Sequence, residues 1–260
     1  MELRTLGKSG LRVSPLGLGT TKFGRTEQVK YPQDFTLPAD RDIEELFAIA
    51  REAGVNLIDT APAYGTAEER IGALLPDPED WVVVTKVGEN FVDGQSAFDF
   101  SRDAIRASVE RSRQRLRRDC LDVVLLHCGD EDVAVLNDTA ALDTLMTLKL
   151  EGAIGAIGAS TKSVTGGLLA AAVCDVVMVT LYPGYRTEVP AIQAAAAVGT
   201  GVLVKKPLAS GHLGQPATAL ASVVTEPGVC SAIVGSINPD HLRQNCAAVA
   251  SALAADPAAA

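Results

Sequence analysis

Apolar residues in this chain cluster in short unbroken runs. LGLGT (16–20), VNLIDT (55–60), WVVVTKV (81–87), LDVVLLH (121–127), AIGAIGAS (153–160), VVMVTL (176–181), GVLVKKPL (201–208) and SAIVGS (231–236) read as strands. They are continuous rather than alternating, as strands are when both faces of a parallel sheet are covered. Between them the apolar period lengthens to that of a helix. From Asp40 to about Glu52, Ile43, Leu46, Phe47 and Ala50 share one helical face. AEERIGALL follows the second strand, a long helix from Ser101 the third, and LDTLMTLKLEG the fourth; Ala-rich or amphipathic stretches follow most of the rest. Eight strand–helix units with no linker in 260 residues predict an α/β fold, a single (β/α)8 TIM barrel forming one domain over 1–260. A doubly wound sheet is the second choice, but no strand runs into a G-x-G-x-x-G turn.

Ahead of the first barrel strand, two strand-like pieces flank Gly7 and Gly10, which predicts a β-hairpin able to plug the barrel floor. The span 21–39, with Pro32 and Pro38, reads as loop, and the tail AADPAAA as a frayed end.

Composition narrows the function classes. Hydrophobic residues are 47% of the chain, enough for a large core, yet no run has the length of a membrane span. The polar start MELRTLGKSG lacks the apolar segment of a secretory signal, so a cytoplasmic protein is expected. A formal net charge of −9 disfavours nucleic acid and anionic membranes as partners. The basic stretch RSRQRLRRD (111–119) reads as the solvated face of a helix that also carries Ile105, Val109 and Leu116. Five scattered cysteines, with no C-x-x-C pair, point to neither a disulfide framework nor a metal site.

Chemistry in such a barrel gathers at the C-terminal ends of the strands. The second strand ends on Asp59, the third on Lys86 and the fourth on His127, with Tyr64 in the loop beyond the second. Neighbouring strands lie about 5 Å apart, so these side chains are expected in one crevice. Taken singly, each has an ordinary reading as a turn, surface or core residue. Together they suit carbonyl reduction: hydride addition leaves an alkoxide that needs a proton. A phenol is a weak acid at neutral pH, and a neighbouring ammonium brings its pKa down. Asp59 is expected to keep Lys86 charged, and His127 to orient the substrate oxygen.

The same residues carry a family likeness. DTAPAYGTAEERIG resembles the D-T-A-x-x-Y-G-x-x-E-x-x-x-G signature of the aldo-keto reductases, while VVVTKVG and LDVVLLH resemble that family's lysine and histidine strands. The likeness implies an NAD(P)H-dependent oxidoreductase reducing aldehydes or ketones. In it Tyr64 is the proton donor, Lys86 and Asp59 its tuning pair, and His127 the orienting residue.

The likeness also implies a cofactor site. KPLASGHL resembles the pyrophosphate loop, with Lys206 where serine is usual, followed by Leu208 and Gly211; GSINPDHLRQN resembles the adenosine segment, with Gly235, Ser236 and Asn245 matching and Asn238 as helix cap. Thr20, Asp59, Ser160 and Tyr182 complete the implied set, Tyr182 as a stacking partner for the nicotinamide. His241, Gln244, Thr161 and Val179 depart from the pattern, replacing arginine, glutamate, asparagine and glutamine respectively. His241 lacks arginine's permanent charge, so NADP is only weakly preferred over NAD.

Two rival readings keep the barrel. One is a Schiff-base aldolase using Lys86, which the nearby Asp59 disfavours by holding the amine protonated. The other is a non-catalytic NADP(H)-binding sensor or regulatory subunit. Short loops over the barrel mouth predict an open pocket for a small carbonyl substrate, with Cys128 and Tyr185 as candidate lining and Trp81 as core or rim.

Overall fold

The computed structural model describes residues 1–255; the rest of the AADPAAA tail lies outside the described residues. Eight parallel strands close into a barrel in chain order: β3 (Leu16–Gly19), β4 (Leu57–Asp59), β5 (Val82–Val87), β8 (Leu121–His127), β9 (Ile154–Ser160), β10 (Val176–Thr180), β11 (Gly201–Lys205) and β12 (Ser231–Val234). Two antiparallel hairpins stand outside it, β1 (Arg4–Thr5) with β2 (Arg12–Val13), and β6 (Glu89–Val92) with β7 (Gln95–Phe98). The helices are α1 (Thr21–Gly24), α2 (Asp40–Glu52), α3 (Ala67–Leu74), α4 (Arg102–Leu116), α5 (Asp132–Asn137), α6 (Thr139–Leu150), α7 (Val164–Val173), α8 (Val189–Ala197), α9 (Pro216–Val224) and α10 (Pro239–Ala255). The open-sheet alternative is excluded by the closure of β12 onto β3.

Each strand buries two faces, which is why its sequence is apolar throughout. Val124 and Leu126 of β8 look outward and pack with α4 and α6 in the larger core. Val123 and Leu125, one residue out of phase, fill the barrel together with Leu57, Val84, Met178 and Leu203. Leu6 and Val13 of the first hairpin join that inner cluster, so the predicted plug is present.

Three details differ from the sequence reading. The span 21–39 is not all loop, since Thr21–Gly24 forms a short helix. The passage from the third barrel strand to α4 holds the second hairpin, β6–β7. The connection after the fourth strand is not merely short loop, because it carries α5. Arg111 of the basic stretch donates to Asn90 at 2.9 Å, tying the second hairpin to α4. Arg115 and Arg118 pair with Glu69 and Asp122, so these charges serve internal contacts rather than a binding patch. Among the described residues, no helix is long and apolar enough to cross a membrane.

Candidate functional site

Alternation along the strands builds the site. Asp59, Lys86 and His127 stand two residues beyond the inward-facing Leu57, Val84 and Leu125, so the same period turns them inward at the barrel mouth. Ser160, Thr180 and Lys205 occupy the equivalent inward positions on β9, β10 and β11.

Lys86 is the hub. Its ammonium donates to Asp59 Oδ1 at 2.5 Å and to the Thr60 carbonyl at 2.7 Å, and Lys86 and Asp59 are both buried. Burial opposes the charge on Lys86, but Asp59 and Tyr64 outweigh it and raise the pKa above the ordinary lysine value. The amine is therefore held protonated.

Tyr64 reaches the same point from a 3-10 turn, Pro62–Tyr64. The turn sits backbone to backbone against α1. A Cβ on Gly24 would lie 2.3 Å from the Tyr64 carbonyl, and one on Gly65 (φ +63°) 2.0 Å from the Gly24 carbonyl. Only glycine fits at either place. The phenol lies within hydrogen-bonding reach of Lys86 and Thr21. Its ring centre is 4.9 Å from the Lys86 ammonium, and it meets the His127 ring edge-on with centroids 6.3 Å apart. Burial raises the phenol pKa by more than Lys86 lowers it, and Asp59 adds to the rise. This corrects the expectation of a net depression: the site holds Tyr64 as a neutral phenol.

His127 has a partner that sequence reasoning missed. Its Nδ1 lies 2.7 Å from Oε2 of Glu89, at the start of β6. Glu89 Oε1 accepts from the Ser96 hydroxyl, 2.6 Å away on β7. Burial pushes the Glu89 pKa up, but His127, Ser96 and Arg25 together bring it down to about 2. Burial lowers the His127 pKa, assisted by Lys86 and Lys205 and opposed by Glu89.

The two lysines after the seventh barrel strand part company. Lys205 faces the mouth, donating to Ser160 Oγ at 2.9 Å and to the Thr161 carbonyl. Burial, with Lys206 and Lys86 nearby, lowers its pKa to about 8 despite Glu188. Lys206, at φ +56°, follows directly after β11. Its pKa is lowered by burial and by the charges of Lys30 and Lys162. The two therefore serve different places, Lys205 the inner mouth and Lys206 the neighbourhood of Lys30 and Lys162.

The remaining predicted residues divide into anchors and lining. Thr20 is buried, its hydroxyl donating to the Asp59 carbonyl at 2.9 Å. Tyr182 is stacked on Tyr185 with centroids 5.4 Å apart. Leu208 packs against the outer core, and Gly211 has φ +96° in a turn whose amide donates to the Leu208 carbonyl at 2.8 Å. Gly235 is exposed just beyond β12. Asn238 caps α10, its Oδ1 accepting from the amides of Asp240 at 2.9 Å and His241 at 3.1 Å; the Asn238 amide donates to Ser236 Oγ at 3.3 Å. His241 is exposed and Asn245 buried, one turn apart on α10. Cys128 points away from the mouth into the outer core, where burial pushes its thiol up to about 12, so it is not pocket lining. Tyr185 donates to Glu188 at 3.3 Å. Trp81 is core, its indole donating to the Pro76 carbonyl at 3.1 Å.

The donor set at the mouth suits the phosphates of a dinucleotide. The Thr161 hydroxyl oxygen is buried without a hydrogen-bond partner, but it faces Gly167 of α7 and Val179 on the outer side of the barrel, away from the mouth. The Lys206 patch and the capped start of α10 suit phosphate.

Comparison with known proteins identifies a family. The family model described as Aldo/keto reductase family matches residues 15–216. A solved structure from Pseudomonas aeruginosa, provisionally assigned to the aldo-keto reductases, is 50% identical, with 96% of this chain and 95% of that one covered and a TM-score of 0.89. Among curated proteins, the L-galactose dehydrogenase of Arabidopsis thaliana is 33% identical over 61% of this chain and 48% of its own length. The D-arabinose 1-dehydrogenase of Saccharomyces cerevisiae is 37% identical over 57% and 43%. The chain thus matches about half the length of these curated relatives.

Proposed function

The chain belongs to the aldo/keto reductase family, and from that premise we propose that it interconverts carbonyl compounds and alcohols with a nicotinamide cofactor, as one unit over 1–260, with Tyr64 as proton donor in the reducing direction. The observation that carries the reading is the convergence on one phenol: Lys86, locked to Asp59 at 2.5 Å, lies 4.9 Å from the Tyr64 ring, and His127 flanks it.

A bound NAD(P)H supplies the hydride when the substrate is a carbonyl. The chain's own groups supply the rest. The Tyr64 hydroxyl gives its proton to the substrate oxygen as the alcohol forms. Lys86, held protonated, stabilises the phenolate left behind, and Asp59 keeps that ammonium from neutralising. Oxidation of an alcohol runs the same proton back to Tyr64. His127 sits on the far side of the substrate oxygen and fixes its direction.

For the cofactor, Ser160 serves the carboxamide, Tyr182 the ring face, Lys206 with Leu208 and Gly211 the pyrophosphate, and Gly235, Ser236, His241 and Asn245 the adenosine half, with Thr20 and Asp59 closing the inner end. Exposed His241 can face a 2′-phosphate, which supports a weak preference for NADP. Two relatives bear the names of sugar dehydrogenases, so aldoses belong in the substrate panel. An aldolase is disfavoured because Lys86 is held as an ammonium ion and is no nucleophile in that form.

The test is an absorbance screen of aldehydes, ketones and aldoses against NADPH, NADH and their oxidised forms. Turnover with at least one carbonyl or alcohol is expected. Tight cofactor binding with no turnover across the panel would favour the sensor reading, and borohydride trapping of substrate on Lys86 the aldolase.

A further inference from the structure

His127 and Glu89 pose a question about one proton. Nδ1 and Oε2 are 2.7 Å apart, yet no well-directed hydrogen bond joins them. Two lone pairs do not face each other at that distance, so a proton lies between, and a small rotation of the ring aligns it. The carboxylate is not free to move away. Ser96 holds its other oxygen at 2.6 Å, and the paired register of Glu89 with Phe98 and Phe91 with Ser96 fixes the hairpin that carries both residues. Arg111 ties that hairpin to α4 through Asn90, and Gln28 ties its tip to the preceding loop by donating to the Gly94 carbonyl at 2.5 Å. The carboxylate is thus positioned from two sides by its own hairpin.

Resting on the carbonyl–alcohol reading above, we propose that Glu89 is a positioning residue that holds the neutral His127 proton on Nδ1, so that Nε2 meets the substrate oxygen as a hydrogen-bond acceptor until the ring gains a second proton. The consequence is directional. A neutral His127 with a bare Nε2 accepts from an alcohol hydroxyl and so binds the alcohol; that proton turns from Nε2 to the Tyr64 phenolate when oxidation begins. A carbonyl oxygen has no proton to give, so His127 joins Tyr64 in holding it only as the imidazolium, whose Nε2–H donates. The groups facing the ring are Lys86 from β5, Lys205 from β11, Tyr64 from its turn and Glu89 from β6, with Arg25 beside Glu89. The two ammonium groups oppose the second proton and the carboxylate favours it.

Glu89→Gln separates this role from mere hairpin support. The glutamine amide donates to Nδ1 and leaves the ring proton on Nε2, so the neutral ring becomes a donor to a carbonyl. The chain has three histidines, so nitrogen NMR of histidine-labelled full-length protein resolves His127 once His212→Gln and His241→Gln have assigned the others. In the parent protein the neutral ring should be protonated on Nδ1, and in Glu89→Gln on Nε2. Ser96→Ala, which loosens the carboxylate but keeps its charge, should keep the Nδ1 form with a weaker preference. In kinetics, kcat/KM for carbonyl reduction should fall about tenfold per pH unit above the His127 titration in the parent, and lose most of that slope in Glu89→Gln. A neutral His127 protonated on Nε2 in the parent, or superimposable pH profiles, would overturn the proposal. The NMR arm needs no substrate. A parent protein without turnover on any carbonyl or alcohol therefore sinks the functional reading separately, and the tautomer result still decides the dyad.

Discussion

The barrel interior has two layers built on the same inward-facing strand positions. The lower is apolar: Leu57, Val84, Val123, Leu125, Met178 and Leu203, closed from beneath by Leu6 and Val13. The upper, one strand period further on, is Asp59, Lys86, His127, Ser160, Thr180 and Lys205. The lower layer stabilises the fold by burial. The upper places charges where water is largely excluded, which costs stability unless every charge is paired. One period of alternation thus divides scaffold from chemistry, and the pairing of Lys86 with Asp59 makes the division tolerable.

Perturbing each layer in turn can break that comparison. Lys86→Ala leaves Asp59 buried without its partner and should cost about 3–5 kcal/mol in denaturant unfolding, with activity abolished. Replacing both partners together, Asp59→Leu with Lys86→Met, should restore much of the stability and none of the activity. If the double variant were as unstable as the single, the charge pair would not be the cost. In the lower layer, Leu125→Ala should cost about 2–5 kcal/mol through the cavity it leaves, with kcat of the folded fraction nearly unchanged. A large kcat loss there would mean the layers are mechanically coupled. Lys206→Ala, outside both layers, should weaken cofactor binding about tenfold by fluorescence titration and leave kcat at saturation intact. The smallest effect is expected from Glu110→Ala, which removes a half-exposed partner of Arg113 on α4. Its change in stability should stay within about 0.5 kcal/mol.

The two layers also differ in how legible they were in the sequence. Unbroken apolar runs mark strands covered on both faces, so the barrel could be read directly. Asp59, Lys86 and His127 could be read because each ends such a run. Lys205 follows the same rule, since counting by two from Leu203 turns it inward. The second hairpin also carried a signal, Asp93–Gly94 between two short runs. Both residues have positive φ, +49° and +74°, as a two-residue hairpin turn requires. Glu89 had none. Its meeting with His127 joins residues far apart in the chain, and it depends on how the hairpin folds back over the mouth, which no local period encodes. The phenol pKa escaped for a related reason. Residue types reveal that an ammonium is near Tyr64, but not that burial outweighs it.

The most direct test of the upper layer as a proton-delivery site is cofactor absorbance in a single turnover, comparing the parent protein with Tyr64→Phe on the best substrate from the screen. Loss of the phenol should slow hydride transfer by about 10²–10⁴-fold while cofactor affinity and thermal stability stay close to the parent. Turnover at the parent rate in Tyr64→Phe would contradict the account.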